Sequence, residues 1–153
     1  MKFWLMKSEP GAFSIDDLAH SPRQITFWEG VRNYQVRNML RDEMQVDNQA
    51  FFYHSNCAVP GIVGIVKIVK AASPDLSAFD PTSHYYDAKN NSHLPRWYGV
   101  KIKLVRKFPQ LISLAELRQQ PALSDMLLLR KGNRLSITPV TSEEWHCILA
   151  GIK

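Results

Sequence analysis

The sequence predicts an α+β domain built on a mixed, curved β-sheet drawn into a partly closed barrel, and three observations predict it. Five or more strand-like runs are interleaved with short helical segments. Three of those helices open with the same capping device, so their starts are well marked. The regular strand–helix–strand alternation of a parallel α/β fold is missing. A chain of 153 residues suffices for one domain over residues 1–153 that buries roughly 70% of the surface its unfolded form exposes.

Taken in order, residues 2–7 (KFWLMK) form a dense apolar run between two lysines and read as a first strand, ended by Ser8, Glu9 and Pro10. Ser14 and Asp17 then make a capping box, with Phe13 and Leu18 as its hydrophobic staple, and Ser21-Pro22 stops the helix that follows. Residues 50–56 (AFFYHSN) are aromatic and β-prone. Val59-Pro60-Gly61 turns them into the β-branched run 62–70, giving an antiparallel hairpin. Residues 72–95 carry Pro74, Pro81, Pro95 and an Asn-Asn-Ser run without periodicity, and read as a long loop of the kind that carries function. Val100, Ile102 and Leu104 alternate with lysines in a strand with one wet face, and residues 135–138 make a short closing strand. The capping device recurs at Ser113 with Glu116 and at Thr141 with Glu144. Gly151 is the expected stop of the last helix, whose Trp145, Ile148 and Leu149 share one apolar face.

Residues 27–44 (FWEGVRNYQVRNMLRDEM) join two patterns. Val36, Met39, Leu40 and Met44 recur at helical spacing, with Arg37, Asn38 and Arg41 on the other side. Before them, Gly30 permits a sharp turn that leaves the Trp28 indole at the mouth of the helix. Helical spacing also aligns Asn33 with the apolar stripe. An amide pointing inward there needs a partner from protein or ligand, because burying it unpaired costs about 1 to 3 kcal/mol.

Composition excludes several classes. With 45% hydrophobic and 22% charged residues the chain is not disordered. No apolar run approaches the ~20 residues of a membrane span, so no membrane partner is expected. The N-terminal MKFWLMKSEP lacks the length and cleavage site of a signal peptide. Two cysteines, Cys57 and Cys147, fit a reducing compartment. The expectation is a cytoplasmic protein, with nucleoid or nuclear association left open. A net charge of +5 is compatible with a phosphate-bearing partner.

Catalysis finds little support. His54, Ser55 and Cys57 at a strand end lack a third partner and any nucleophile signature, so a polar strand end is the reading. His20, His54, His84, His93 and His146 show no metal-ligand spacing, and no metal or cofactor is expected. Residues 61–64 lack the lysine of a phosphate loop. A better signal is aromatics beside small polar groups: Trp28, Tyr53, Tyr85 and Trp97 flank element junctions near Asn33, Ser55, Asn56 and Asp87. Such a set suits a flat heterocycle, which stacks at about 1 to 3 kcal/mol per base while polar groups read its edge. Trp4 and Trp145 read as core; pattern alone leaves Trp28 and Trp97 open between core and binding. Arg130, Lys131 and Arg134, with Gly132 and Asn133 between them, form a turn-like basic set able to cradle a phosphate.

The blocks WLMKSEP (4–10), WEGVRNYQ (28–35), FFYHSN (51–56), PGIVG (60–64) and RLSI-P-V (134–140) together resemble the EVE domain over nearly the whole chain, with residues 77–93 matching mainly through HYYD. The resemblance implies a PUA-like fold, a bent mixed β-barrel flanked by short helices. It also implies a non-catalytic reader of modified bases, chiefly modified cytosines in DNA, with DNA favoured over RNA. The pocket it implies has Trp28 and Trp97 as walls, Ser8, Asn33, Ser55 and Asn56 as polar groups, and Tyr53, His54 and Ser136 as lining, with Tyr85 alongside. The alternative is a nucleotide- or RNA-modifying enzyme, or an accessory RNA-binding protein, of the same superfamily.

Overall fold

The computed structural model describes residues 1–89 and 95–151. Of the residues read above, Asn90, Asn91, Ser92 and His93 lie outside the described set. Six strands form one mixed sheet: β1 (Phe3–Ser8), β2 (Ile25–Phe27), β3 (Gln49–His54), β4 (Gly61–Pro74), β5 (Tyr98–Ser113) and β6 (Ile137–Val140). Their spatial order is β2-β5-β4-β3-β1-β6. β1 runs parallel to β3 and antiparallel to β6, while the β3–β4, β4–β5 and β2–β5 pairs are antiparallel. The mixed sheet and its hairpin thus match the expectation. Barrel closure would require β2 to meet β6, and no ladder joins them among the described residues.

Both long strands outrun their sequence signals. β5 continues through Phe108 and Pro109 to Ser113, and register shifts along the β4–β5 ladder bend the pair. β2 is a strand of three residues, too short to show a period, and has no counterpart in the sequence reading. The closing strand begins two residues later than expected, at Ile137.

Side chains alternate across the sheet and divide the core in two. On one face Trp4, Met6, Ala50, Phe52, Val66, Ile68, Val100 and Ile102 pack under Ile15 and Leu18 of α1 (Ile15–Ala19) and Val36 of α2 (Tyr34–Asn38). On the other, Leu5, Phe51, Tyr53, Ile62 and Ile65 pack under Leu117 of α3 (Leu114–Arg118) and Trp145 and Ile148 of α4 (Ser142–Ala150). All three capping boxes form. Trp4 and Trp145 are core, as read: the Trp4 indole N–H donates to Asn48 Oδ1 at 3.1 Å, and Trp145 stacks on Phe3 and Phe51 with ring centroids 4.4 and 4.0 Å away. Gly151 does end α4, but with φ −85°, so the turn makes no use of glycine's left-handed freedom.

The stripe Val36, Met39, Leu40 and Met44 is buried as its spacing predicts. The helix carrying it is shorter than the pattern, however, because α2 passes into a π-turn over Met39–Glu43. No helix among the described residues is long and apolar enough to cross a membrane.

Candidate functional site

The C-terminal end of β1 opens into a cavity of about 630 Å³, within the range of small-molecule sites. Three parts of the chain build it. β1 and the turn after it supply Lys7, Ser8 and Phe13; β2 and its continuation supply the run from Thr26 to Arg32; His84, Tyr85 and Ser136 complete the wall. Trp28 is half-buried and held in place. Its backbone N–H donates to Val100 O at 2.7 Å, and its ring meets the edge of Phe52 at 5.8 Å and 85°. The Ser8 hydroxyl donates to Phe13 O at 2.5 Å, fixing the turn, while the Lys7 N–H donates to Ser136 O at 2.8 Å, so the end of β1 and the residue that leads into β6 meet on this wall.

Gly30 turns the chain with φ +83°, as the sequence requires, and its missing side chain matters as well: a Cβ there would lie 2.5 Å from the Tyr85 ring. Beneath this contact lies Asp75, whose side chain is fully buried. Its carboxylate accepts from Gly30 N (2.8 Å), Arg32 Nη1 (3.0 Å), Ser77 N (3.0 Å) and Ser77 Oγ (2.6 Å). Burial alone would raise the Asp75 pKa, but the hydrogen bonds from Ser77, Gly30 and Arg32 outweigh it and hold the carboxyl below its ordinary value. Arg32 also donates through Nη2 to Tyr85 O at 2.5 Å and lies over the rings of Tyr85 and Trp97, at 5.7 and 5.4 Å from their centroids.

The expected set of pocket residues is divided by the structure. Ser8, Trp28, Tyr85 and Ser136 line the cavity together. Trp97 does not supply an open wall. It is only 5% exposed, stacks on Tyr34 at 4.8 Å and donates its indole N–H to Asp87 at 2.7 Å, which fastens α2 and the 75–89 segment to β5. Asn33 does not point inward. It is exposed at the N-cap of α2, and its Oδ1 accepts from Val36 N at 3.0 Å; helical spacing misplaced it because the cap residue has extended, not helical, backbone. His54 is occupied within the protein: its Nε2 accepts from Ile15 N at 3.1 Å, and burial lowers its pKa.

Tyr53 lies on the opposite face of the sheet from Phe52 and Trp28, since neighbouring strand residues alternate. With Ser55 and Asn56 it lines a second cavity, of about 430 Å³, together with Lys7, Arg118, Arg130, Lys131 and Asn133. Among the described residues that lining holds four cations and no carboxylate, so its field favours an anion. Arg130 and Lys131 both line it, on a turn that Gly132 makes with φ +81°, whereas exposed Arg134 is not part of the lining. Lys7 borders both cavities, which makes them neighbours across the end of β1. Among the described residues no group of three or more His, Cys, Asp or Glu could hold a metal ion.

Sequence reasoning missed Arg32, Asp75, Glu29 and Lys7. A local signal for Asp75 existed, because Asp-x-Ser after a proline is a capping pattern, and its side chain does cap the 3-10 turn Leu76–Phe79. Its bond to a backbone amide forty-five positions away has no local signature.

A family model described as the EVE domain matches residues 2–151. Thymocyte nuclear protein 1 of Gallus gallus is 46% identical over 164 residues, covering 96% of this chain and 67% of its own length. The Homo sapiens protein of that name is 43% identical over 164 residues, covering 96% and 72%. Among solved structures, one from Pseudomonas putida superposes with TM-score 0.92 at 49% identity and 97% coverage of both chains. The crystal structure of human THYN1 in complex with 5-methylcytosine-containing DNA superposes with TM-score 0.91 at 43% identity, covering 98% of this chain and 96% of that one.

Proposed function

This chain belongs to the EVE domain family, and from that premise we propose that it is a non-catalytic nucleic-acid-binding module that accepts a modified base, a modified cytosine in DNA before any other, in the cavity walled by Trp28. The observation that carries this reading is the cavity itself. It has the volume for a single nucleobase, one indole on its wall, hydroxyls at Ser8 and Ser136, and a rigid floor tied down by Asp75. The human relative crystallised with 5-methylcytosine-containing DNA supports the choice of ligand.

Extruding a base from a duplex costs a few kcal/mol, which stacking on Trp28 and contacts to the base edge would recover. The neighbouring basic cavity, with Arg130 and Lys131 on its wall and Arg134 beside it, would hold the flanking phosphates. The test is a titration of oligonucleotides that differ in a single base, bearing different cytosine and adenine modifications in DNA and in RNA. Wild type should prefer one modified base, and Trp28→Ala should lose about 1 to 3 kcal/mol of affinity for it. Equal affinity for every base, unmoved by Trp28→Ala, would remove the reading.

A further inference from the structure

The cavity carries one acidic and one basic side chain that the fold does not use. Glu29 is exposed and Lys7 is half-buried, and both belong to the lining. Among the described residues neither the Glu29 carboxylate nor the Lys7 ammonium makes a hydrogen bond or an ion pair, with each other or with any other group. Contrast Arg32, three positions beyond Glu29, whose guanidinium is fully engaged by Asp75, Val31 O and Tyr85 O. Both idle groups lose hydration to their surroundings. Burial raises the Glu29 carboxyl above its ordinary pKa, with the Asp75 carboxylate adding to the rise and Arg32 opposing it; burial likewise lowers Lys7. Opposite charges that face one cavity without pairing call for a guest with a donor at one end and an acceptor at the other.

We propose that Glu29 is the residue that tells cytosine from thymine in this cavity, its carboxylate accepting from the exocyclic 4-amino group while the Lys7 ammonium donates to O2 at the other end of the same edge. This rests on the reading of the cavity as a base site and adds the residue that sets specificity. The chemistry is asymmetric. A cytosine, methylated at C5 or not, presents N4–H2 as a donor, and carboxylates pair with it. Thymine carries an oxygen there, which a carboxylate repels, while O2 is common to both pyrimidines and gives Lys7 no power to discriminate. The 5-methyl group is also common to thymine and 5-methylcytosine, so the pair of ligands isolates the edge from the methyl.

The experiment uses the full chain and two single-stranded DNA probes that differ only in a central 5-methylcytosine or thymine, with affinities read by fluorescence anisotropy. Wild type should favour the 5-methylcytosine probe by roughly ten- to a hundredfold, the scale of one good base-edge pair. Glu29→Ala should bring that ratio to near one by weakening the 5-methylcytosine probe and relieving the repulsion of thymine. Glu29→Gln, whose amide can turn to suit either base, should lower the ratio while keeping affinity for both. Lys7→Met should weaken both probes and leave the ratio intact. A ratio unchanged in Glu29→Ala overturns the proposal, as does a ratio that collapses in Lys7→Met and survives in Glu29→Ala. Failure of the base site itself would look different: wild type would bind both probes alike and Trp28→Ala would change neither. Among the described residues Glu29 has no hydrogen-bond or ion-pair partner to lose, and circular dichroism of each variant should overlay wild type.

Discussion

Replacing Asp75 with alanine would test whether the floor of the cavity is held by one buried charge. The side chain is 0% exposed and accepts four hydrogen bonds, from Gly30, Arg32 and, twice, Ser77. Removing one partner of a buried ion pair costs about 3 to 5 kcal/mol, because the other charge is left uncompensated. Arg32 keeps Tyr85 O and is 24% exposed, which places the expected loss at the lower end, about 3 kcal/mol. For a chain of this size that corresponds to a fall in Tm of roughly 6 to 12 °C. Urea denaturation of wild type, Asp75→Ala, Arg32→Met and the double variant supplies the magnitude and, through the cycle, the coupling; the double variant should cost clearly less than the sum of the singles. Acidity gives an independent check. The Asp75 pKa is depressed by folding, so its stabilisation is complete above the unfolded carboxyl's pKa of about 3.9 and disappears as pH falls through the lower folded value. The gap between wild type and Asp75→Ala should hence be constant from about pH 5 to 8 and close only below about pH 4. A loss under about 1 kcal/mol with no coupling would refute the argument.

Trp97→Ala should cost about 3 to 5 kcal/mol, the scale of an emptied buried tryptophan site and similar to Trp4→Ala and Trp145→Ala, with Trp28→Ala clearly cheaper in denaturation midpoint. Asn33→Ala should lose about 1 kcal/mol as a missing N-cap, and Asn33→Asp should restore it, since an aspartate caps as well; a large loss in both would contradict a capping role. His54 accepts a hydrogen bond and must be neutral to do so. Its folded pKa is lowered by burial, so wild type should lose stability as pH falls from about 6.5 through the lower folded value, and His54→Gln should flatten that slope; Asp16 and Lys107, which act on the ring with opposite sign, stay in place. Reversing Arg130 and Lys131 to glutamate should weaken all oligonucleotides alike and flatten the salt dependence of binding, measured as log K against log salt, more than reversing Arg134 does.

Much of the fold is legible in the chain because its signals are local. A capping box spans four residues and β-branched alternation needs only a handful of positions; all three capping boxes and the β3–β4 hairpin form, although the connection between those strands runs from Ser55 to Pro60 and Gly61 already belongs to β4. The misreadings share a different cause. β2 is three residues long and is made a strand by its partner β5 rather than by its own composition. Asn33 obeys helical spacing on paper, yet stands one position outside the helix, where backbone direction changes. Trp97 and Trp28 have the same kind of neighbours in sequence, and what separates them is whether a distant ring, Tyr34, covers one of them. Of the four aromatics only Trp28 and Tyr85 line the proposed cavity, while the polar framework beneath it, Asp75 with Gly30 and Arg32, depends on contacts across more than forty positions.

β1 sits between β3 and β6, paired in parallel with one and antiparallel with the other. The strand nearest the N-terminus therefore cannot be completed on both sides until residues 137–140 have arrived. Contacts of such sequence separation are slow to form, since the loop they close must be ordered before any gain is realised, and folding in milliseconds to seconds is expected. The Lys7 to Ser136 bond lies on the cavity wall at this last seam. A chain ending before Ser136 lacks that part of the cavity wall, and binding at the cavity would report assembly of this last seam. Conversely, a bound base would favour the closed seam over its opening by mass action, so occupancy should slow exchange of the amides of β1 and β6 together.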